Sequence, residues 1–281
     1  MSLGGNLPFV FLQGGLMVAL PLALWVVAAR RSRLGRRSWV VIGLGGLFFV
    51  ASQLLNTPLR LIAVGVWASG WALLAALALI SGFGEELMRW LAMRHVGVVR
   101  ENLAGDGPVL YGLGHGGVES LALGLAVLGQ GLVLRSATDP AVLAELPPQL
   151  VAQAEMIAAA SWYLFLAGAL ERALAIALHV GLSLIVASGV MTRSIARLVL
   201  AMLWHALANG VAVWIAQATA GVAGSVFLVE AWVALAAAGA LVYGAARVSS
   251  ARAGRAVSAG DSAPTGAGSR TGGSGALGGR S

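Results

Sequence analysis

An all-α bundle of about seven membrane-spanning helices is the fold class this sequence predicts, and three observations predict it. Of its 281 residues, 59% are hydrophobic and only 10% charged, with a mean hydropathy of +0.87, whereas charged residues approach a quarter of a soluble domain. The apolar residues fall into seven runs, each long enough to cross a hydrocarbon core of about 30 Å as a helix. The basic residues are all arginine and gather at alternate ends of these runs, as the positive-inside rule requires.

The first run, Leu7 to Ala29, has no positive charge before it and Arg30, Arg31, Arg33, Arg36 and Arg37 directly after it. A secretory signal has the reverse flanks, so a retained helix with its N-terminus outside is expected. The second run, Ser38 to Asn56, should end at Thr57-Pro58-Leu59-Arg60, because proline cannot supply its N–H to a helix. The third, Ser69 to Arg94, carries Glu85, Glu86 and Arg89, and the fourth, Pro108 to Leu134, carries His115 and Glu119. Between Arg135 and Glu155, Asp139, Pro140, Glu145, Pro147 and Pro148 mark an acidic stretch, expected as an external loop.

The fifth run, Ser161 to Val190, holds Glu171, Arg172 and His179; the sixth, Ile195 to Gln217, holds His205 and Asn209; the seventh, Val222 to Ala246, holds Glu230. Residues 1–246 thus read as one transmembrane domain. Residues 247–281, rich in Gly, Ser, Ala and Arg, are expected to form a disordered cytoplasmic tail. Arginine placement and an odd helix count agree on an N-terminus outside and a C-terminus in the cytoplasm.

Composition also excludes. With no cysteine there is neither a disulfide nor a thiolate nucleophile. The net charge of +7 resides at span ends rather than on a basic face with aromatic platforms, which excludes nucleic acid as the partner and leaves the bilayer. Gly112-Leu-Gly114-His-Gly116-Gly117 matches a dinucleotide fingerprint by letter, but no strand precedes it. Gly112 and Gly116 are expected instead to permit close helix approach.

The charged residues inside the spans carry the functional signal. Each costs roughly 2.5 to 3.5 kcal/mol at a helix centre, so such groups pair, bind something or line water. At a rise of 1.5 Å per residue from the inner ends, Glu85 lies roughly 13 Å deep, His115 roughly 10, Glu119 and His179 roughly 16, and His205 roughly 15. Four helices therefore present polar side chains in one layer. Glu171 and Arg172 come out near 28 Å by the same count, as expected either of a separate ion pair or of a fifth span whose boundary lies elsewhere. Glu85 and Arg89, His115 and Glu119, and His205 and Asn209 are each four residues apart and share a helix face; on spacing, Arg89 should pair with Glu85 rather than Glu86.

Such a layer suits hydrolysis, which needs a base to take a proton from water and donors for the oxyanion. A glutamate would serve as the base, with the imidazoles and the Asn209 amide as orienting groups and donors. Alternatively His115, His205 and His179 with a carboxylate would hold Zn2+ and leave a position for water. No His-Glu-x-x-His motif is present, so the metal reading rests on convergence of helices.

Taken in order, Glu85-Glu86-x-x-Arg89, Tyr111-x-x-x-His115 and His205-x-x-x-Asn209 resemble the three motifs of the type II CAAX prenyl endopeptidases and their bacterial relatives. The run Gly-Leu-Gly-His-Gly-Gly-Val-Glu around His115, and Glu171-Arg172 followed by His179, resemble the YhfC family of intramembrane metalloproteases more closely. The resemblance covers about Gly82 to Gly210. It implies a peptidase of the bacterial cytoplasmic membrane in which Glu85 activates water with His115, His205 and Asn209 stabilise the oxyanion, and Glu86 and Arg89 support them. One departure is that the prenyl endopeptidases usually space the arginine one residue further along, which leaves open which glutamate is the base.

The function expected is thus hydrolysis of a peptide bond in a membrane-embedded or membrane-anchored substrate, at a site opening toward the cytoplasm. Two rivals keep the same helices: a catalytically silent protein that binds a membrane peptide, and a proton-coupled transporter. Against the transporter stands the absence of a repeated half.

Overall fold

The computed structural model describes residues 3–136, 138–145 and 147–261. The described residues form α1 (Leu3–Arg31), α2 (Arg37–Val66), α3 (Trp71–His95), α4 (Gly97–Arg100), α5 (Gly107–Ser136), α6 (Pro140–Glu145), α7 (Pro148–Ala159), α8 (Trp162–Thr192), α9 (Ile195–Ala218) and α10 (Val226–Asp261). Seven of these are long and apolar enough to cross a membrane, and the chain is an integral membrane helix bundle.

The bundle is organised around α8, whose apolar window is 78% buried while those of the other six are 22–33% buried. Helices α10, α5, α1, α9 and α3 all pack against it. The outer helices instead turn Leu, Val and Trp side chains such as Leu54, Leu61, Leu125 and Leu235 outward, the apolar surface a bilayer would cover.

Small residues set the distances between helices, as membrane interiors favour. A Cβ on Gly112 would lie 2.6 Å from Val180 Cα, and one on Gly116 3.0 Å from Ile176 Cα, so this pair does bring α5 against α8. On the opposite face of α5, a Cβ on Gly114 would lie 1.9 Å from the Ile42 carbonyl oxygen of α2. Gly114→Ala is therefore expected to push α2 from α5 and to cost about 1 to 3 kcal/mol, while Gly129→Ala on the same helix, which meets nothing within 4 Å, leaves the midpoint nearly unchanged. Thermal unfolding in detergent micelles checks the contrast.

Three boundaries differ from expectation. Helix α2 continues ten residues past Asn56 with Pro58 inside it; a bundle helix tolerates the lost hydrogen bond because neighbouring groups re-satisfy the backbone. The Asn56 side chain lies against Gly84 of α3, so this extension runs beside the segment that carries Glu85. The stretch after Arg135, expected as a loop, contains α6 and α7. Asn6 Nδ2 donates to the Ile157 and Ala160 carbonyls at 2.7 and 2.9 Å, satisfying oxygens that the end of α7 leaves without helical partners. Helix α10 runs on to Asp261, through residues placed above in the tail; residues 262–281 of that tail lie outside the described residues.

The arginine-rich loops share one end of the bundle. There Arg252 Nη2 donates to the Gly105 carbonyl at 3.0 Å and Ser32 Oγ to Asp106 at 3.0 Å. The connections α2 to α3 and α9 to α10 lie at the other end, since successive spans run antiparallel.

Candidate active site

Gly82 is the local device that assembles the site. A Cβ there would lie 2.6 Å from the Met202 carbonyl, so α3 and α9 approach to backbone contact just where Glu85 and Glu86 face His205. Both carboxylates are buried, as are Arg89, His115, His179 and His205.

The two adjacent glutamates have different partners. Glu85 Oε2 lies 3.1 Å from His115 Nε2 and 3.9 Å from His205 Nε2. Its Oε1 accepts from Ser81 Oγ at 3.1 Å and from Gln53 Nε2 at 3.3 Å. Glu86 Oε1 lies 2.9 Å from His205 Nδ1 and 3.4 Å from Arg89 Nη2. Arg89 thus pairs with Glu86, against the expectation from spacing. The reason is tertiary: its guanidinium donates to the His179 carbonyl and to His179 Nδ1, each at 2.9 Å, which draws it toward α8.

These contacts assign the tautomers. A guanidinium only donates, so His179 Nδ1 accepts and the proton is on Nε2, which donates to Glu119 Oε2 at 2.8 Å. His205 Nδ1 faces a carboxylate and donates to it, leaving Nε2 directed at Glu85. An imidazole held from behind by a carboxylate and presenting its other nitrogen forward is the usual arrangement of a metal-ligating or catalytic histidine. His115 Nδ1 has no hydrogen-bond partner, and the Phe49 ring stands edge-on to the imidazole at 5.1 Å between centroids.

Arg172 Nη1 donates to Glu119 Oε1 at 3.2 Å and its Nη2 to Glu171. Glu171 and Arg172 are therefore joined to the layer rather than forming a separate pair. Arg172 and His179 are two turns apart on one face of α8 and grip the same carboxylate, a reach that counting along each axis cannot show. The chain Arg172, Glu119, His179, Arg89, Glu86, His205, Glu85, His115 connects four helices.

A cavity of about 600 Å³ opens beside this chain, with Glu85, Glu119, His179, His205 and Asn209 in its wall. Its other walls include Arg60, Leu74 and Val213, each nearer the end that carries the α2 to α3 connection. The cavity thus extends away from the arginine-rich loops, whereas a site opening toward them was expected. The physical reason is that α8 and its neighbours close tightly on the arginine-rich side: Met93, Leu110, Leu182 and Ile185 are buried there with almost no exposure. Asn209 Nδ2 points to Ser81 Oγ at 3.4 Å. Glu230 is buried on α10, with Oε2 lacking a hydrogen-bond partner.

Two further residues belong to the site: Ser81 stands one turn before Glu85 on the same face, and Gln53 is an amide in an otherwise apolar run. Their signal in the sequence is weaker than that of a charged group.

The residue types present fit a metal ion of the zinc kind, which takes imidazole nitrogens and carboxylate oxygens. Glu85, His115 and His179 offer ligand atoms all within 4.8 Å of one another, and so do Glu86, His179 and His205. The partnerless His115 Nδ1 and Glu86 Oε2 are further donor atoms that a buried site normally satisfies.

Comparison with known proteins gives a family and a relative. The profile of the family described as "YhfC intramembrane metalloprotease" matches residues 16–233. A Bacillus subtilis (strain 168) protein described as "Uncharacterized membrane protein YhfC" is 29% identical over 220 residues, covering 72% of this chain and 81% of its own length. No solved structure matches.

Proposed function

Because the chain belongs to the YhfC intramembrane metalloprotease family, we propose that it is an endopeptidase cleaving a membrane-embedded or membrane-anchored peptide, with Glu85 as general base. One observation carries this reading: the Glu85 carboxylate is buried in the wall of a cavity of about 600 Å³, with one oxygen between two imidazoles and the other fixed by Ser81 and Gln53. A water in that cavity would meet a carboxylate that cannot rotate away. Glu86 does not line the cavity, so of the two glutamates it is the supporting one.

Glu85 takes a proton from water attacking the peptide carbonyl and returns it to the leaving amine. His205, in the cavity wall, orients that water, and His115 holds the Glu85 carboxylate from behind at 3.1 Å. The Asn209 amide, also in the cavity wall, donates to the carbonyl oxygen as charge develops. Arg89 and Glu119, the latter held by Arg172, whose guanidinium also pairs with Glu171, fix the His179 imidazole, and Glu86 fixes that of His205. A zinc ion, held by Glu85, His115 and His179 or by Glu86, His179 and His205, would supply Lewis acidity toward the water or the carbonyl; in either set His179 would exchange its hydrogen bond from Arg89 for the ion, and in the first Glu85 would be a ligand instead of the base.

Metal analysis of purified protein separates these two sets. About one zinc per chain is expected, lost in His115→Ala but kept in His205→Ala if the first set holds it, with the reverse result for the second. His95→Ala, altering a ring that meets Trp90 edge-on and lies outside both sets, keeps the metal. Full activity in metal-free protein would leave Glu85 working without a metal. The reading as a whole is tested by comparing new peptide N-termini in membranes from cells carrying the wild-type chain with those from cells carrying Glu85→Gln.

A further inference from the structure

Arg60 is the cation in the cavity wall that the candidate active site leaves unused. Arg172, the other cavity-lining arginine, is gripped by Glu119 and Glu171. Arg60 has an amide as its partner, Gln53 Oε1 at 3.2 Å, and among the described residues no carboxylate forms an ion pair with it. Most of its five N–H donors are therefore free to face the cavity.

Its direction is informative. Arg60 lies six residues from the end of α2 at Val66, about 9 Å along the axis. A long cationic side chain at that depth ordinarily snorkels outward to the interface and its phosphates. Arg60 turns the other way, bonding a residue two turns deeper on its own helix. Gln53 in turn donates to Glu85 at 3.3 Å, so one amide bridges the guanidinium and the proposed base. Covalent geometry then puts the two at most about 9 Å apart.

We propose that Arg60 anchors a carboxylate of the substrate, either its C-terminus or an Asp or Glu side chain, two or three residues from the bond that is cut. The distance sets the outer limit of this register, since an extended peptide advances 3.3–3.6 Å per residue. The proposal rests on the peptidase reading and adds the chemical class of substrate: a peptide carrying a negative charge close to the scissile bond. Arginine suits the task because its fork matches a carboxylate with two parallel hydrogen bonds.

The test uses fluorescein-labelled apolar decapeptides of Leu and Ala and the purified full chain in detergent. One peptide ends in a free carboxylate, the second in an amide, and the third in an amide with Asp two residues inward. Binding is read by anisotropy with the Glu85→Gln protein, and cleavage separately with the wild type. One of the charged peptides is expected to bind about tenfold or more tightly than the uncharged amide; which of them does so identifies the carboxylate. The preference should vanish in the Glu85→Gln, Arg60→Gln protein and survive in part in Glu85→Gln, Arg60→Lys, which keeps the charge without the fork. Equal binding of all three peptides, or a preference that survives Arg60→Gln, overturns the anchor whatever the cleavage result. A preference that behaves as expected without any cleavage by the wild type keeps the anchor and overturns the peptidase reading.

Discussion

Glu85→Gln is expected to lower peptide cleavage by roughly 10² to 10⁴-fold, the contribution of a positioned general base, while the chain still folds. The amide has the shape of the carboxylate and keeps a carbonyl oxygen for Ser81 Oγ and Gln53 Nε2, the donors now on Oε1. What it loses is the capacity to take a proton. Glu86→Gln is expected to have a smaller effect, because Glu86 acts through His205 Nδ1 at 2.9 Å and an amide oxygen can still accept that bond. Quantifying new N-termini in membranes from cells carrying the wild type and each variant separates the cases. If the cleavages vanish only in Glu86→Gln, the two glutamates exchange roles; if all three profiles match, the peptidase reading falls.

Arg89→Met is expected to destabilise the bundle by about 3 to 5 kcal/mol, the cost of breaking a buried ion pair by removing one partner. Arg89 is fully buried and donates to the His179 carbonyl, to His179 Nδ1 and to Glu86. Without it, Glu86 keeps its charge with His205 alone, and the His179 ring loses the contact that assigns its tautomer. The double variant Arg89→Met, Glu86→Gln should be more stable than the sum of the single losses predicts, because it removes the orphaned charge along with its partner. Thermal unfolding in detergent micelles measures the cycle. Strict additivity would mean that Arg89 and Glu86, 3.4 Å apart on α3, do not stabilise each other as the geometry implies.

Much of this site was legible in the residues. Charged groups and imidazoles in four apolar runs are too costly to be incidental, and helical rise alone placed Glu85, His115, Glu119, His179 and His205 in one layer. Gly112 and Gly116 were legible too, because small residues four apart serve to bring helices together. Ser81 and Gln53 are less legible because an uncharged side chain in a lipid span carries a smaller penalty and so a weaker signal. Arg60 falls in the expected helix stop, since Pro58 two residues before it outweighs other cues when no neighbouring helix is in view.

By itself the sequence determined what depends on composition and local periodicity: seven apolar helices, an arginine-rich and an arginine-poor end, and the depth of each polar group along its own axis. The tertiary structure decided which groups meet. Arg89 is nearer in spacing to an ideal pair with Glu85, yet it is bound to Glu86 because His179 of α8 competes for its guanidinium. Arg172 looks remote from the layer by axial count, yet it shares Glu119 with His179. The physical reason is common to both. Side-chain reach is several ångströms and helix rotation is set by glycine contacts between neighbours, so partners across helices are chosen by packing, which no single helix encodes.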